Sequence, residues 1–262
     1  MALRSNQDRS TLHIPDTIHP VFHEGGAIVM DTIRGRYRAL PVAGAHLLQV
    51  VNQCGEVGAV NDYYAKIYPH LPISDIRTLS DHRLRQLINQ GAIGFGPKKE
   101  RRDFIEATPE NAIRFDDTPA SQAAEKSPSL LDTLFVAKDI VRAIHLTNRP
   151  FPDVDRRIRR SQEKAQRPAT FEEAQRIGAV VVHLGRQYPG RFACLESTVA
   201  TVLSGSSQGV RIDMQFGVAL NPTIYHVWPE AEGQPVPLKP SLTSQRFYPV
   251  YRIGGDRPDS SS

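Results

Sequence analysis

Cysteine is scarce in this chain: its 262 residues include two, Cys54 and Cys194. Two thiols cannot build a disulfide framework or a structural zinc cluster. The nine histidines are read as offering no ligand spacing, so no metal is expected. Long apolar runs are also missing. The longest, AVVVHLG at residues 179–185, is far too short to span a bilayer. The segment MALRSNQDRSTLH lacks the apolar core of a secretory signal, so the expectation is a cytoplasmic protein without a membrane partner. No Walker-type loop is present, and no cofactor is expected in this chain itself. The excess of positive charge is small, +4. It gathers in two runs, PKKERR at residues 97–102 and RRIRR at residues 156–160. Runs of this kind hold phosphate or an acidic partner in some proteins; here they read as solvated helix faces or linker ends.

What is present is the patterning of an α+β protein in two domains. Residues 10–96 open with three extended segments, HPVFHEG, AIVMDT and RYRALP. Helical spacing follows: Ala45, Leu47, Leu48 and Val51 up to Gly55, then Val57, Val60, Tyr64 and Ile67 up to Pro69. A third helix, capped by Ser74 or Asp75, carries Leu79, Leu84, Leu87 and Ile88, and a short strand AIGF closes a unit of winged-helix size. Residues 97–127 are polar and proline-punctuated and are predicted to be a linker, with room for a short ordered piece around Phe104–Ile113. A second domain is predicted over residues 128–252, followed by a disordered tail at residues 253–262. Its first helix shares Leu130, Leu134, Ala137, Ile140, Val141 and Ile144 on one face. Thr170 is predicted to cap the next helix, with Glu172 and Glu173 in its first turn, and His183 on that helix reads as a core histidine. Extended segments VRIDMQFGVAL, TIYHVWPE, QPVPL and RFYPVYRI then predict an antiparallel sheet.

Chemistry concentrates in this second domain. Pro189 and Gly190 break the chain just before RFACLESTVATVLSG, so a helix is predicted to begin at Cys194. A sulfur there lies at the positive end of the helix dipole, which favours its anionic form. His226, in the β-prone run TIYHVWPE, is the matching base, and N–H groups at the start of the Cys194 helix would supply part of an oxyanion hole. Free cysteines often serve only as small buried hydrophobes, and Trp228 reads as core. The group that would orient His226 is open. Pairing about the turn at Glu232-Gly233 sets Leu238 opposite His226, and leucine cannot accept a hydrogen bond. Glu230, Glu232, Asp213, a backbone carbonyl or water remain.

CLESTVATVL and MQFGVALNPTIYHVWPEAEGQPV together resemble the B proteins of lasso peptide biosynthesis, a branch of the transglutaminase-like, papain-like cysteine proteases. The resemblance covers residues 130–240 and includes a Gly-Val at a strand end and a His-x-Trp-x-Glu strand before a glycine turn. It implies leader-peptide cleavage by Cys194 and His226, with an Asp normally at the position of Leu238; Glu230 is the replacement taken here. IVMDTIRGRYRALPVAGAHLLQVV and LINQGAIG are similar to the winged-helix-like element that binds leader peptides, as in the pyrroloquinoline-biosynthesis chaperone. There the leader adds as a strand to a sheet edge. Carried over, the edge is Tyr37, Arg38, Ala39 and Leu40, with Leu84, Leu87 and Ile88 lining the groove. The implied partners are a precursor peptide and an asparagine-synthetase-like cyclase, and ATP enters only through that cyclase.

Two other readings compete. A scaffold that presents the leader to the cyclase without cutting is motivated by Leu238. A nucleic-acid binder is disfavoured, because Arg77, Arg83 and Arg85 share their helix with Asp75 and Asp81 and form no basic stripe.

Overall fold

The computed structural model describes residues 11–97, 99–115, 130–238 and 245–255. The chain divides into two compact units. One comprises residues up to Thr32 together with Arg36–Ala107, the other Ile33–Gly35 with the residues from Thr108 onward.

The first unit runs β1 (Leu12–His13), β2 (Ile18–His23), β3 (Gly26–Asp31), β4 (Arg36–Pro41), α1 (Val42–Cys54), α2 (Val57–Ile67), α3 (Ile73–Asn89), β5 (Gly94–Phe95) and β6 (Ile105–Glu106). Proline sets two of the helix starts: Pro41 precedes α1 and Pro72 precedes α3, both in extended conformations that a helix cannot continue backwards through. Gly55 ends α1 in the left-handed conformation (φ 68°), donating its N–H to the Val51 carbonyl. The sheet order is β4-β3-β2-β6, antiparallel except for the parallel β2–β6 pair. Leu12, Leu47, Leu48 and Val60 are fully buried between this sheet and the helices, each contributing about 1.5–3 kcal/mol by leaving water.

The stretch expected to be a linker is ordered on both sides of its middle. Arg102 donates to the carbonyls of Pro15 and Ile18, Phe104 packs on Phe22 at 5.5 Å, and β6 extends the first sheet. Apolar side chains anchor this mostly polar segment: Phe104 packs on the core of the first unit, and Ile113 and Phe115 join an aromatic cluster of the second. The remainder of the expected linker, Lys98 and residues 116–127, and residues 256–262 of the expected tail lie outside the described residues.

The second unit continues with β7 (Ile113–Arg114), α4 (Leu130–Thr147), α5 (Phe151–Gln162), β8 (Arg167–Pro168), α6 (Phe171–Gly185), α7 (Cys194–Ser207), β9 (Val210–Arg211), β10 (Asp213–Leu220), β11 (Thr223–Ala231), β12 (Gln234–Pro235) and β13 (Arg246–Ile253). A five-stranded antiparallel sheet in the order β12-β11-β10-β13-β7 packs on α7, which is itself surrounded by α4, α5 and α6. Thr170 caps α6 in a reciprocal box: its hydroxyl accepts from the Glu173 N–H and the Glu173 carboxylate accepts from the Thr170 N–H. Arg167 grips the same carboxylate through two N–H groups at 2.6 and 2.8 Å. With the Thr170 N–H, it holds the Glu173 carboxyl down to about 2.

Two helix faces differ from expectation. On α4 the buried stripe is Val136, Ile140, Ala143 and Leu146, whereas Leu134 and Val141 are exposed. The sequence offers apolar residues on nearly every side of α4, so periodicity alone does not choose the face. On α6 the buried side is Ala174, Ile177, Gly178 and Val181, and His183 is turned to solvent.

Candidate active site

Helix α7 begins at Cys194 because Ala193 is extended (φ −99°, ψ −169°) and its carbonyl accepts the first helical bond, from the Ser197 N–H. Alanine has no side chain to cap with. Glu196 reaches back instead, its carboxylate accepting from the Ala193 N–H at 3.0 Å. The geometry of any helix start leaves the N–H groups of Cys194 and Leu195 without helical acceptors. Ser197 is buried and its hydroxyl donates to the Ala193 carbonyl at 2.9 Å. At the next position, the buried Thr198 hydroxyl donates to the Val227 carbonyl at 3.1 Å. That bond ties the start of α7 to β11 beside His226.

His226 lies on β11 directly opposite Gly217 of β10. A Cβ on Gly217 would stand 2.4 Å from the Trp228 ring, so the glycine is what lets the indole lie across the sheet. Trp228 is 1% exposed and stacks on the His226 ring with centroids 5.9 Å apart. Phe115 meets His226 edge-on at 5.6 Å and Phe247 lies at 5.3 Å. Phe115, Trp228 and Phe247 form one buried cluster with Ala219. Phe115 was not singled out from the sequence, where it stands in the segment read as linker; an aromatic in a polar run was the available signal.

The half-buried Cys194 and His226 line the same cavity with Phe115, Ser197, Trp228 and Leu238. Its volume is about 20 Å³, room for about one water molecule. The Trp228 indole N–H is buried without a protein acceptor among the described residues. A nucleophilic sulfur, an imidazole and helix-start N–H groups around one small, mostly apolar space suit acyl transfer.

The acids proposed to orient His226 are engaged elsewhere. Glu230 shares a face of β11 with His226, but four residues of strand separate them by about 13 Å. Glu230 is 1% exposed and pairs with Arg252 at 3.1 Å. Asp213, opposite Glu230, pairs with the same guanidinium at 2.5 Å and also approaches Arg211. Glu232 accepts from the Phe171 N–H at 3.1 Å. Hairpin pairing also ends sooner than expected. β12 pairs only Gln234 and Pro235 with β11, and Val236 donates to the Pro229 carbonyl, so no described ladder bond sets Leu238 opposite His226. Leu238 reaches the cavity another way, packed where a Cβ on Gly178 would lie, 2.6 Å from its Cδ2.

In the first unit, Tyr37, Arg38, Ala39 and Leu40 lie on β4, the edge strand. Leu40 is buried, and Arg38 spans from the strand to α3, donating to the Gln90 carbonyl at 2.5 Å. Leu84 and Leu87 are buried in the core and Ile88 is partly buried against it. Leu84 and Leu87 share that core with Ile76 and are covered from solvent.

The histidines include a pair four apart, His19 and His23, contrary to the sequence reading. They lie on strand β2, where that spacing separates them by about 13 Å. Among the described residues no group of three metal-ligating side chains occurs, and no helix is long and apolar enough to cross a membrane.

Residues 136–252 match the sequence profile of the transglutaminase-like superfamily. That span includes α7 and β11, which carry Cys194 and His226. No curated protein and no solved structure matches the chain.

Proposed function

We propose that the transglutaminase-like domain at residues 136–252 is a cysteine endopeptidase that removes the leader from a ribosomally made precursor, as in lasso peptide maturation. The observation that carries this reading is the shared cavity of Cys194 and His226, with the sulfur at the first position of a helix. Cys194 attacks the scissile carbonyl, and the oxyanion forms near the N–H groups that open α7. His226 takes the thiol proton and returns it to the leaving amine. Water then attacks the thioester carbonyl, releasing the new carboxylate and regenerating the thiol. The aromatic walls of Phe115, Trp228 and Phe247 restrict the movement of the His226 ring.

In this reading the leader adds to the open edge of β4, where strand pairing supplies main-chain hydrogen bonds. An asparagine-synthetase-like cyclase then consumes the freed core, using ATP. The test is mass spectrometry of a precursor peptide incubated with the protein. Cys194→Ala abolishes cleavage, a loss of roughly a thousandfold or more, while leader binding persists. Cleavage at the wild-type rate by that variant would refute the assignment.

A second reading, a leader-binding scaffold that presents the precursor to the cyclase, draws on the engagement of Glu230, Asp213 and Glu232 with other groups. It predicts leader binding by the wild-type protein and no cleavage.

A further inference from the structure

The run RRIRR, read from sequence as a solvated face, is divided in the structure. Ile158 is fully buried. Arg159 turns to Asp155 and to the Tyr251 hydroxyl, at 3.1 and 2.9 Å. Arg156, Arg157 and Arg160 turn the other way, into a cleft of about 1160 Å³ between α4 and α5. Lys164 continues that wall beyond the end of α5, and Arg142 of α4 and Arg149, just past the end of α4, stand on the other side. The floor is apolar, made of the buried Leu146 and Leu203, and the exposed Val141 adds to the apolar lining.

The charge here is not neutralised from within. Six Arg and Lys side chains line the cleft against two carboxylates, Asp153 and Glu163. Arg156 is held by Asp153 at 3.4 Å, and Arg142 by the buried Asp139 at 3.1 Å. Arg149 contacts His145. Arg157, Arg160 and Lys164 are exposed and have no carboxylate partner among the described residues. The ends of α4 and α5 present their negative poles nearby, which lowers the cost of gathering cations without cancelling their attraction for a ligand.

We infer that this cleft binds an extended acidic peptide segment of a partner protein, its carboxylates on the arginines of α5 and its apolar side chains on the floor. The argument is charge complementarity together with shape. From Arg156 to Lys164 the cations extend over about 12 Å of helix rise, a length suited to a strand of peptide and too long for a single phosphate. The floor rewards apolar side chains, which a nucleic-acid backbone does not offer. Among the described residues no Phe, Tyr or Trp lines the cleft for base stacking. The cleft meets α7 at Leu203, Ser206 and Ser207, the opposite end from Cys194, so binding there does not depend on the cysteine chemistry.

Fluorescence anisotropy with a labelled peptide of alternating Glu and Leu tests the inference. The full chain binds it, and binding weakens as salt is raised. R157E/R160E/K164E weakens it roughly tenfold or more. R77E/R85E/R101E, a charge-matched change at exposed positions of the first unit, leaves it intact, as does alkylation of Cys194. Lys164→Glu alone gives a partial loss, and unchanged thermal melts separate lost contacts from lost fold. The inference is overturned if the cleft variants bind as the wild type does, if the wild type does not bind, or if an oligothymidylate of equal charge binds as tightly.

Discussion

Cys54 ends α1, exposed, just before a left-handed glycine, whereas Cys194 begins α7, half-buried beside an imidazole-lined cavity. The two thiols are chemically the same side chain at opposite poles of a helix. At a C-terminal end the last carbonyls oppose negative charge on sulfur; at an N-terminal end the first N–H groups favour it. Exposure runs against that order, since the better-placed sulfur is the less accessible one. The contrast sets a cysteine's position along its helix, and what packs over it, against its accessibility as the guide to its chemistry.

The largest way to break the contrast is at Gly217. Gly217→Val drives a side chain into the Trp228 ring and the Tyr248 carbonyl, costing about 1–3 kcal/mol of stability. Urea unfolding shows the loss, and under the proposed function iodoacetamide labels Cys194 more slowly as the His226 stack is displaced. Undiminished stability would mean the indole has room to move away, and the site is looser than its packing implies.

Next in size is the contrast itself. Iodoacetamide at neutral pH should label Cys194 roughly tenfold faster than Cys54 or more, read by peptide mass spectrometry. Equal, slow labelling of both would remove the case for a nucleophile and leave the scaffold reading in place.

The smallest effect isolates the helix start without a cysteine. Glu173, at the beginning of α6, has its carboxyl lowered to about 2 by Arg167 and the Thr170 N–H. A lowered folded-state value means its stabilisation is complete above the ordinary carboxyl range near 4.5 and fades as pH falls toward 2. Thermal melts between those limits should fall less steeply in Glu173→Gln than in the wild type. Parallel curves would show that solvent screening leaves the pair without consequence.

Much of this was legible in the sequence because it rests on local rules. Pro41, Gly55 and Thr170 fix helix ends through backbone conformation and capping, and α7 was expected to begin at Cys194, where it does begin. What escaped was long-range. The burial of Val136 and not Leu134 on α4 depends on where α7 sits. Phe115 becomes a wall of the site only because β7 pairs with β13, far away in sequence. The engagement of Glu230 with Arg252 likewise joins residues of two different strands, which no spacing within TIYHVWPE could announce.

Helix α7 also sets a measure. Its 14 residues extend about 20 Å, with the thiol at one end and the cationic cleft at the other. An extended peptide covers that distance in about six residues. A single chain that touched both ends would therefore carry its acidic run at least that many residues from the bond presented to Cys194, a spacing rule that can be sought in any candidate substrate before it is tested.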